Sequence, residues 1–439
     1  MRKKYVVLLS GMTLCFIFLF SYYLSGIKKE IKIHTIGDLE KKVTISFTSS
    51  WGAYDSMSQK LRIILQRFSE KYEDIEVINK SIAGEDFLFS LKTDFASRND
   101  PDVFGLWPGS DFNLLVKTGK VADLTQILEE DPDWYESFRK ETWDYVTVDD
   151  KIYGVPFEII YEGLFINEDL FRMYNVKVPE TFEELKEAVI IFKENNIIPI
   201  AYSATPEGSY IYQNIVMQLG GKEDVENPFT EQGTIKPCFV QGMYYMKELY
   251  ELGAFPNNAN WIDDKARNDL FLNKKAAMIV QGSWFIGENA LSSDDSTVDI
   301  IPFPKIEGGK ADESAIIYGC GNGIFHISQK AWEDKKTREA SIALLKELTS
   351  VPSAKILSSG AGVISNIYIP DQEESTDRLT LKGQKLVNES KELIGPVDSF
   401  IDRSIWEGII VKEFPQMLMG RISPEGVFLK VNEKMKYKK

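Results

Sequence analysis

The sequence predicts an α/β protein of more than one unit, built on an open, largely parallel sheet. Three observations predict it. A chain of 439 residues is too long for one ordinary core and suggests roughly two or three units of about 150 residues each. Its first half alternates strand and helix signals, the pattern that places helices on the faces of a parallel sheet. From "KIYGVPFEIIYEGLFINEDLF" onward a second set of such signals begins.

Ahead of the fold, "MRKK" is followed by an uncharged, mostly apolar run, Tyr5 to Ile27, which as a helix spans on the order of 30 Å, enough to cross a bilayer. A basic start with such a run reads as a signal peptide or an uncleaved signal anchor over 1–27. Cys15 follows Leu14 and is itself followed by "FIFLF", so a plain anchor is expected there rather than lipidation; "YLSG" (Tyr23–Gly26) leaves a cleaved, released form open. Residues 28–42 form a polar linker.

The fold is expected to begin at "VTISFTSSWG" (Val43–Gly52), a β-branched strand that ends in a Ser-Ser-Trp-Gly turn. Leu61, Ile64, Leu65 and Phe68 then recur at helical spacing, and "IEVINKSI" returns to strand character, completing a β-α-β unit. A helix through Leu91 and Phe95 breaks at Asn99–Pro101, before a short strand ending at Trp107-Pro108-Gly109. In open sheets ligands lie beyond the strands' carboxyl ends, where Trp51 and Trp107 both sit. Further on, Thr181 and Glu184 form a capping box opening a helix towards Lys193, and Pro199 starts a strand. "FVQGMYYMKELYELG" reads as a helix and Ala276–Val280 as a buried strand; the prolines and glycines of "DIIPFPKIEGG" suggest a strand connecting two lobes.

Composition narrows the chemistry. With 51 basic against 66 acidic side chains the net charge is −15, which repels nucleic acid. The two histidines, His34 and His326, have no neighbours at metal-ligand spacing, so no metal and no cofactor is expected. Beyond Cys15 only Cys238 and Cys320 occur, too few for a disulfide framework, and their pairing stays open. "YGCGNG" (Tyr318–Gly323) follows neither the dinucleotide nor the phosphate-loop pattern; a crossing or hinge is the better account.

Several runs together, "ASRNDPDVFGLW", "TGKVADLTQIL", "YGVPFEIIYEGLFINEDLFRMYNVKVPETFEELKEA", "FLNKKAAMIVQGSW" and "IIPFPKIEGG" with "GCGNGIFHIS", make the chain resemble the family 1 extracellular solute-binding proteins, the carbohydrate receptors of bacterial ABC importers. The resemblance extends from Val43 nearly to the C-terminus. It implies a two-lobed, periplasmic-binding-protein-like (type II) α/β fold with hinge-crossing strands. The division it suggests is 43–157 with 316–365 for the first lobe and 158–315 with 366–439 for the second. It also implies a sugar or oligosaccharide ligand, ABC permease subunits as partners, a monomer, and export to the outer face of the cytoplasmic membrane.

Sugars present an apolar C–H face and a ring of hydroxyls, so a binder needs flat aromatic surfaces and directional polar groups. On the resemblance, Trp284 in "QGSW" and Trp406 in "SIWEG" are the stacking residues of the second lobe, while Trp51 and Trp107 line the first. Trp284 follows Gly-Ser at a strand end, which presents it at a rim; Trp406, among Ile405, Ile409 and Ile410, has the inner face of a helix as its alternative. Trp134, Trp143, Trp261 and Trp332 read as packing or surface residues. For hydroxyl pairing the candidates are Asp111 (with Ser110 one residue away), Glu158 where the chain crosses between lobes, and Tyr210, Tyr212 and Gln213. Three functions fit: a passive sugar receptor for an importer, a membrane-anchored sugar sensor for a kinase, and a glycoside hydrolase, against which stands the lack of an acid pair set off by the motifs.

Overall fold

The computed structural model describes residues 42–436 apart from positions 54, 56, 84, 288–290, 322, 361 and 368–376. The expected anchor with Cys15, all of the linker but its last residue, His34, and Asn322 of the "YGCGNG" stretch lie outside the described residues. Among the described residues no helix is long and apolar enough to cross a membrane. Residues Val43–Lys439 form one compact unit.

The chain lays down β1 (Val43–Thr48), β2 (Ile75–Asn79), β3 (Val103–Gly105), the short pair β4 (Thr147–Val148) and β5 (Lys151–Ile152), β6 (Val155–Pro156) and the long β7 (Glu158–Asn167). Then come β8 (Ile198–Ile200), β9 (Ala276–Gly282), β10 (Val298–Ile301), β11 (Ile316–Cys320), β12 (Ile324–Ile327), β13 (Ile364–Ser365) and β14 (Leu393–Ile394). They make two principal sheets. The first has five strands in the order β2-β1-β3-β12-β6, and the second has seven, in the order β14-β11-β7-β9-β8 with β10 and β13 also on β7.

The first sheet answers the expected β-α-β pattern. β1 pairs in parallel with β2 and β3, joined through the helix Ser58–Lys71, whose buried Leu61, Ile64 and Phe68 enter the core with Ile45 and Phe47. β12 is antiparallel to both β3 and β6. Its His326 is buried, with ring nitrogens facing the carbonyls of Tyr153 and Leu106, and packs against Phe104 and Phe112. Burial holds this imidazole down to about 4, so it is a neutral core residue at physiological pH.

The second sheet departs from the expectation of a parallel sheet. β7 is antiparallel to β9, β10, β11 and β13, and only β8–β9 and β11–β14 are parallel. At its centre is β7, all ten of whose residues are buried, with partners along its whole length. "DIIPFPKIEGG" is therefore no connector between lobes: Val298–Ile301 pairs with Leu164–Asn167 inside the second sheet, and Phe303 and Ile306 enter the second core.

The crossings sit elsewhere. One is at Phe157, between β6 of the first sheet and β7 of the second. Another lies between β11, which pairs with β7, and β12, which pairs with β3 and β6. The strand Ile316–Cys320 thus belongs to the second sheet, as does Ile364–Ser365, whereas both fall in the first lobe of the expected division. The helices between them, through Leu344, Leu348 and Leu357, pack in the first core. Cys238 and Cys320 are both buried and are not joined by a disulfide.

Candidate functional site

The site begins where the chain crosses from the first sheet to the second. Glu158, the first residue of β7, is 3% exposed, and its carboxylate accepts the backbone N–H of Gly323 at 2.6 Å. The two crossing strands touch there. A Cβ on Gly323 would stand 2.5 Å from that of Glu158, so only glycine permits the approach. Burial pushes the Glu158 carboxyl up to about 8; the nearby Asp55 adds to this and the Gly323 N–H opposes it. Asp55 itself is raised to about 6, mainly by burial, against the pull of the Met57 N–H and of Lys60.

Four residues further along the same face of β7 stands Glu162, 2% exposed and accepting from Asn214 Nδ2 at 2.7 Å. Burial first and Asp398 second hold its carboxyl well above the usual range. Opposite Glu162 in the antiparallel register is Gly282, the last residue of β9. The chain then turns through Ser283–Phe285, and the Trp284 indole folds back across the glycine: a Cβ on Gly282 would lie 2.1 Å from the ring. Trp284 is half-buried and meets Tyr210 edge-on at 5.5 Å. Tyr210 opens the helix Tyr210–Glu226, which also supplies Asn214. Its phenol is raised well above the ordinary value by burial, then by Glu207, Glu162 and Asp398. Behind it the buried Arg267 pairs with Glu207 at 2.8 Å.

A second group assembles beyond β3. Trp107 lies half-buried beneath the Arg403 guanidinium, 5.6 Å from its ring centre. Asp111 pairs with Lys92 at 2.6 Å and with Arg403 at 2.9 Å, and Ser110 Oγ accepts the Arg403 N–H at 3.1 Å. Ser110 and Asp111 thus share the position, both through their side chains: Ser110 accepts from the Arg403 backbone and Asp111 pairs with its guanidinium. Both expected residues meet a cation from the other lobe that sequence reading had not identified.

Two of the expected stacking residues are in the cores. Trp51 is 2% exposed and meets Phe325 edge-on at 5.4 Å within the first core, so it presents no open face. Trp406 is equally buried, stacks on Tyr212 at 5.8 Å in the second core, and reaches the cleft only at the edge of a small cavity. Its alternative reading, the inner face of a helix, describes this packing. Tyr212 is fully buried and donates to the Phe239 carbonyl, an interior role. Gln213, also fully buried, accepts the Asp398 N–H at 3.3 Å, which leaves its Nε2 without a partner among the described residues. The structure therefore brings Tyr210 and Trp284 of the expected set together near Glu162, joins Gln213 to Asp398, leaves Glu158 at the crossing four residues away along β7, and sets Trp107 and Asp111 against Arg403.

Sequence reading missed Asp55, Glu162, Asn214, Asp398 and Arg403. Glu162 alone carried a local signal, lying at even spacing from Glu158 on an apolar strand; the others are brought in from distant segments.

The arrangement of two separate sheets is a fold shared with solved proteins. The structure is similar to a chitin oligosaccharide binding protein, with a TM-score of 0.77 at 20% identity, covering 89% of this chain and 98% of that one. It is also similar to RafE in complex with raffinose, with a TM-score of 0.72 at 19% identity, covering 90% and 100%. In sequence it is 25% identical over 303 residues to the multiple sugar-binding protein of Streptococcus mutans, covering 66% of this chain and 68% of that protein. It is 25% identical over 317 residues to the galactooligosaccharide-binding protein of Bacillus subtilis, covering 68% and 70%. The sequence profile described as bacterial extracellular solute-binding protein matches residues 51–354, well over half the chain. With the profile spanning four of the five strands of the first sheet, the β7 crossing and the Trp284 turn alike, the chain belongs to the bacterial extracellular solute-binding proteins.

Proposed function

We propose that the protein is an extracytoplasmic carbohydrate receptor that closes two lobes on a sugar or oligosaccharide and passes it to the permease subunits of an ABC importer. One observation carries the reading: the half-buried Trp284 ring folds over Gly282, the register partner of buried Glu162, whose carboxyl accepts from Asn214. The indole supplies the apolar surface that a sugar's C–H face needs, and the carboxyl and amide groups supply directional partners for hydroxyls. Glu158, held protonated at neutral pH by burial, both donates and accepts, as a hydroxyl does. The names of the relatives support the ligand class, since they are binders of multiple sugars, galactooligosaccharides, chitin oligosaccharides and raffinose. The apolar run Tyr5–Ile27 supports retention at the outer face of the membrane, with the site held in the exterior medium.

A thermal-shift screen of mono- and oligosaccharides tests the reading, because a ligand that binds only the folded state raises its melting temperature by mass action. With a sugar in hand, Trp284→Ala should weaken binding by roughly ten- to a hundredfold, about 1 to 3 kcal/mol, while the melting temperature stays near that of the parent. Trp51→Ala is the contrast: emptying a core site should cost about 3 to 5 kcal/mol of stability. No shift with any carbohydrate, or a Trp284→Ala protein that is destabilised yet binds normally, would overturn the proposal.

A further inference from the structure

Two hollows meet on the line between the lobes beyond β3. The inner one, about 40 Å³, is walled by Trp107, Asp398 and Trp406 among others. The outer one, about 830 Å³, opens between Lys92, Asn113, Leu114 and Lys117 of the first lobe and the segment around Ser399–Gly408 of the second. Both hollows share Ser110, Asp111, Ser399, Arg403 and Glu407 in their walls, so these five residues form a partition between them.

Arg403 is the centre of that partition. Its guanidinium pairs with Asp111 at 2.9 Å across the lobes, pairs with Glu407 on its own side, and lies over the Trp107 ring at 5.6 Å. Its backbone N–H donates to Ser110 Oγ at 3.1 Å, and a Cβ on Gly109 would come within 3.5 Å of Ser399, so main chain closes the gap beneath the side chain. With side-chain exposures of 22% for Arg403 and 13% for Asp111, the pair is partly shielded from solvent. A planar guanidinium held by two carboxylates and stacked on an indole is a fixed object rather than a solvated charge.

We propose that Arg403 is a specificity-determining residue: closed on Asp111, it walls the inner cleft from the outer groove and so fixes the length of oligosaccharide that the cleft accepts. The inference rests on the carbohydrate-receptor reading. It follows from what the guanidinium covers. Trp107 offers a flat aromatic face at the end of β3, but Arg403 occupies it, and a further sugar unit can stack there only after Arg403 has moved. Beyond the wall, Asn113 is suited to pair with hydroxyls, and the groove has room for further units.

Affinities measured by titration calorimetry across maltose-, xylose- and chitin-derived series, disaccharide to hexasaccharide, test this in the full-length folded protein. For the parent protein, affinity should level off with chain length. In Arg403→Ala the ratio of long-chain to short-chain affinity should rise by about tenfold, the worth of one more stacked unit. Asp111→Asn, which keeps the volume and loses the ion pair, should raise the ratio in the same direction and by less, and it carries the test should Arg403→Ala fail to fold. Superimposable length profiles overturn the wall. Uniform weakening at every length also overturns it, since Arg403 would then be a direct sugar contact or a closing latch. Absence of binding by the parent protein to every carbohydrate is the distinct failure of the receptor reading, and the inference falls with it.

Discussion

Glu158 shows how a single side chain couples the site to pH. Its carboxyl is raised to about 8 from an ordinary value of 4.5, because burial disfavours its charge more than one backbone N–H relieves it. A raised carboxyl is bound to its proton more tightly in the folded state than in the unfolded chain. Its contribution to stability is therefore complete below about 4.5 and is lost as pH rises through about 8. Asp55, raised to about 6, and Glu162, raised further by Asp398, act in the same sense. Glu158→Gln cannot ionise, so its stability should fall less between those limits and exceed that of the parent at the alkaline end by on the order of a few kcal/mol. Denaturant melts at a series of pH values check this; parallel pH profiles for the two proteins would count against it.

At the scale of elements, local chemistry and long-range pairing divide the work. The helix Phe182–Glu194 starts where its sequence says it should: Thr181 accepts the Glu184 N–H at 3.3 Å, and the Glu184 carboxylate reaches back to the Glu180 N–H at 2.8 Å. The return bond falls one residue before the cap itself, a small shift of the expected box. Thr181→Ala should cost about 1 kcal/mol of stability while leaving sugar affinity unchanged, because the cap lies outside the groups around Trp284. Chemical denaturation alongside a binding titration measures both, and a change in affinity as large as the change in stability would argue for coupling through the helix. The second sheet behaves differently. An all-apolar strand such as Ile159–Ile166 with one interior carboxylate is buried on both faces, and its sequence does not say which way its partners run.

For the whole molecule the decisive feature is that two separately cored sheets are joined by a few residues. β6 and β7 cross at Phe157, β11 and β12 cross between Cys320 and Ile324, and Asn366, next after β13, donates to the Thr142 hydroxyl and the Pro156 carbonyl. Such short connections concentrate rotation. Ligand should therefore shift the population towards closed molecules and reduce the radius of gyration measured by small-angle scattering. Identical scattering with and without a saturating sugar would argue for a cleft already closed without ligand. Gly323→Ala, with its Cβ driven against Glu158, is a variant in which that response should be impaired.

The sequence by itself determined the α/β class, the strand-helix-strand opening, the cap at Thr181 and the strand that ends just before Trp284. These follow from periodicity, turn chemistry and order along the chain, which short-range forces impose. Its resemblance to solute-binding proteins was legible in the order of several loose motifs, none sufficient alone. Tertiary structure decided that Trp51 and Trp406 belong to cores, that β11 joins the second sheet, and that Arg403 covers Trp107 and meets Asp111. A tryptophan reads the same in sequence whether its face meets a phenylalanine or solvent, and an ion pair between positions 111 and 403 depends on how two lobes meet. Burial and electrostatics at a cleft are properties of distant segments brought together, and no local pattern in the chain encodes them.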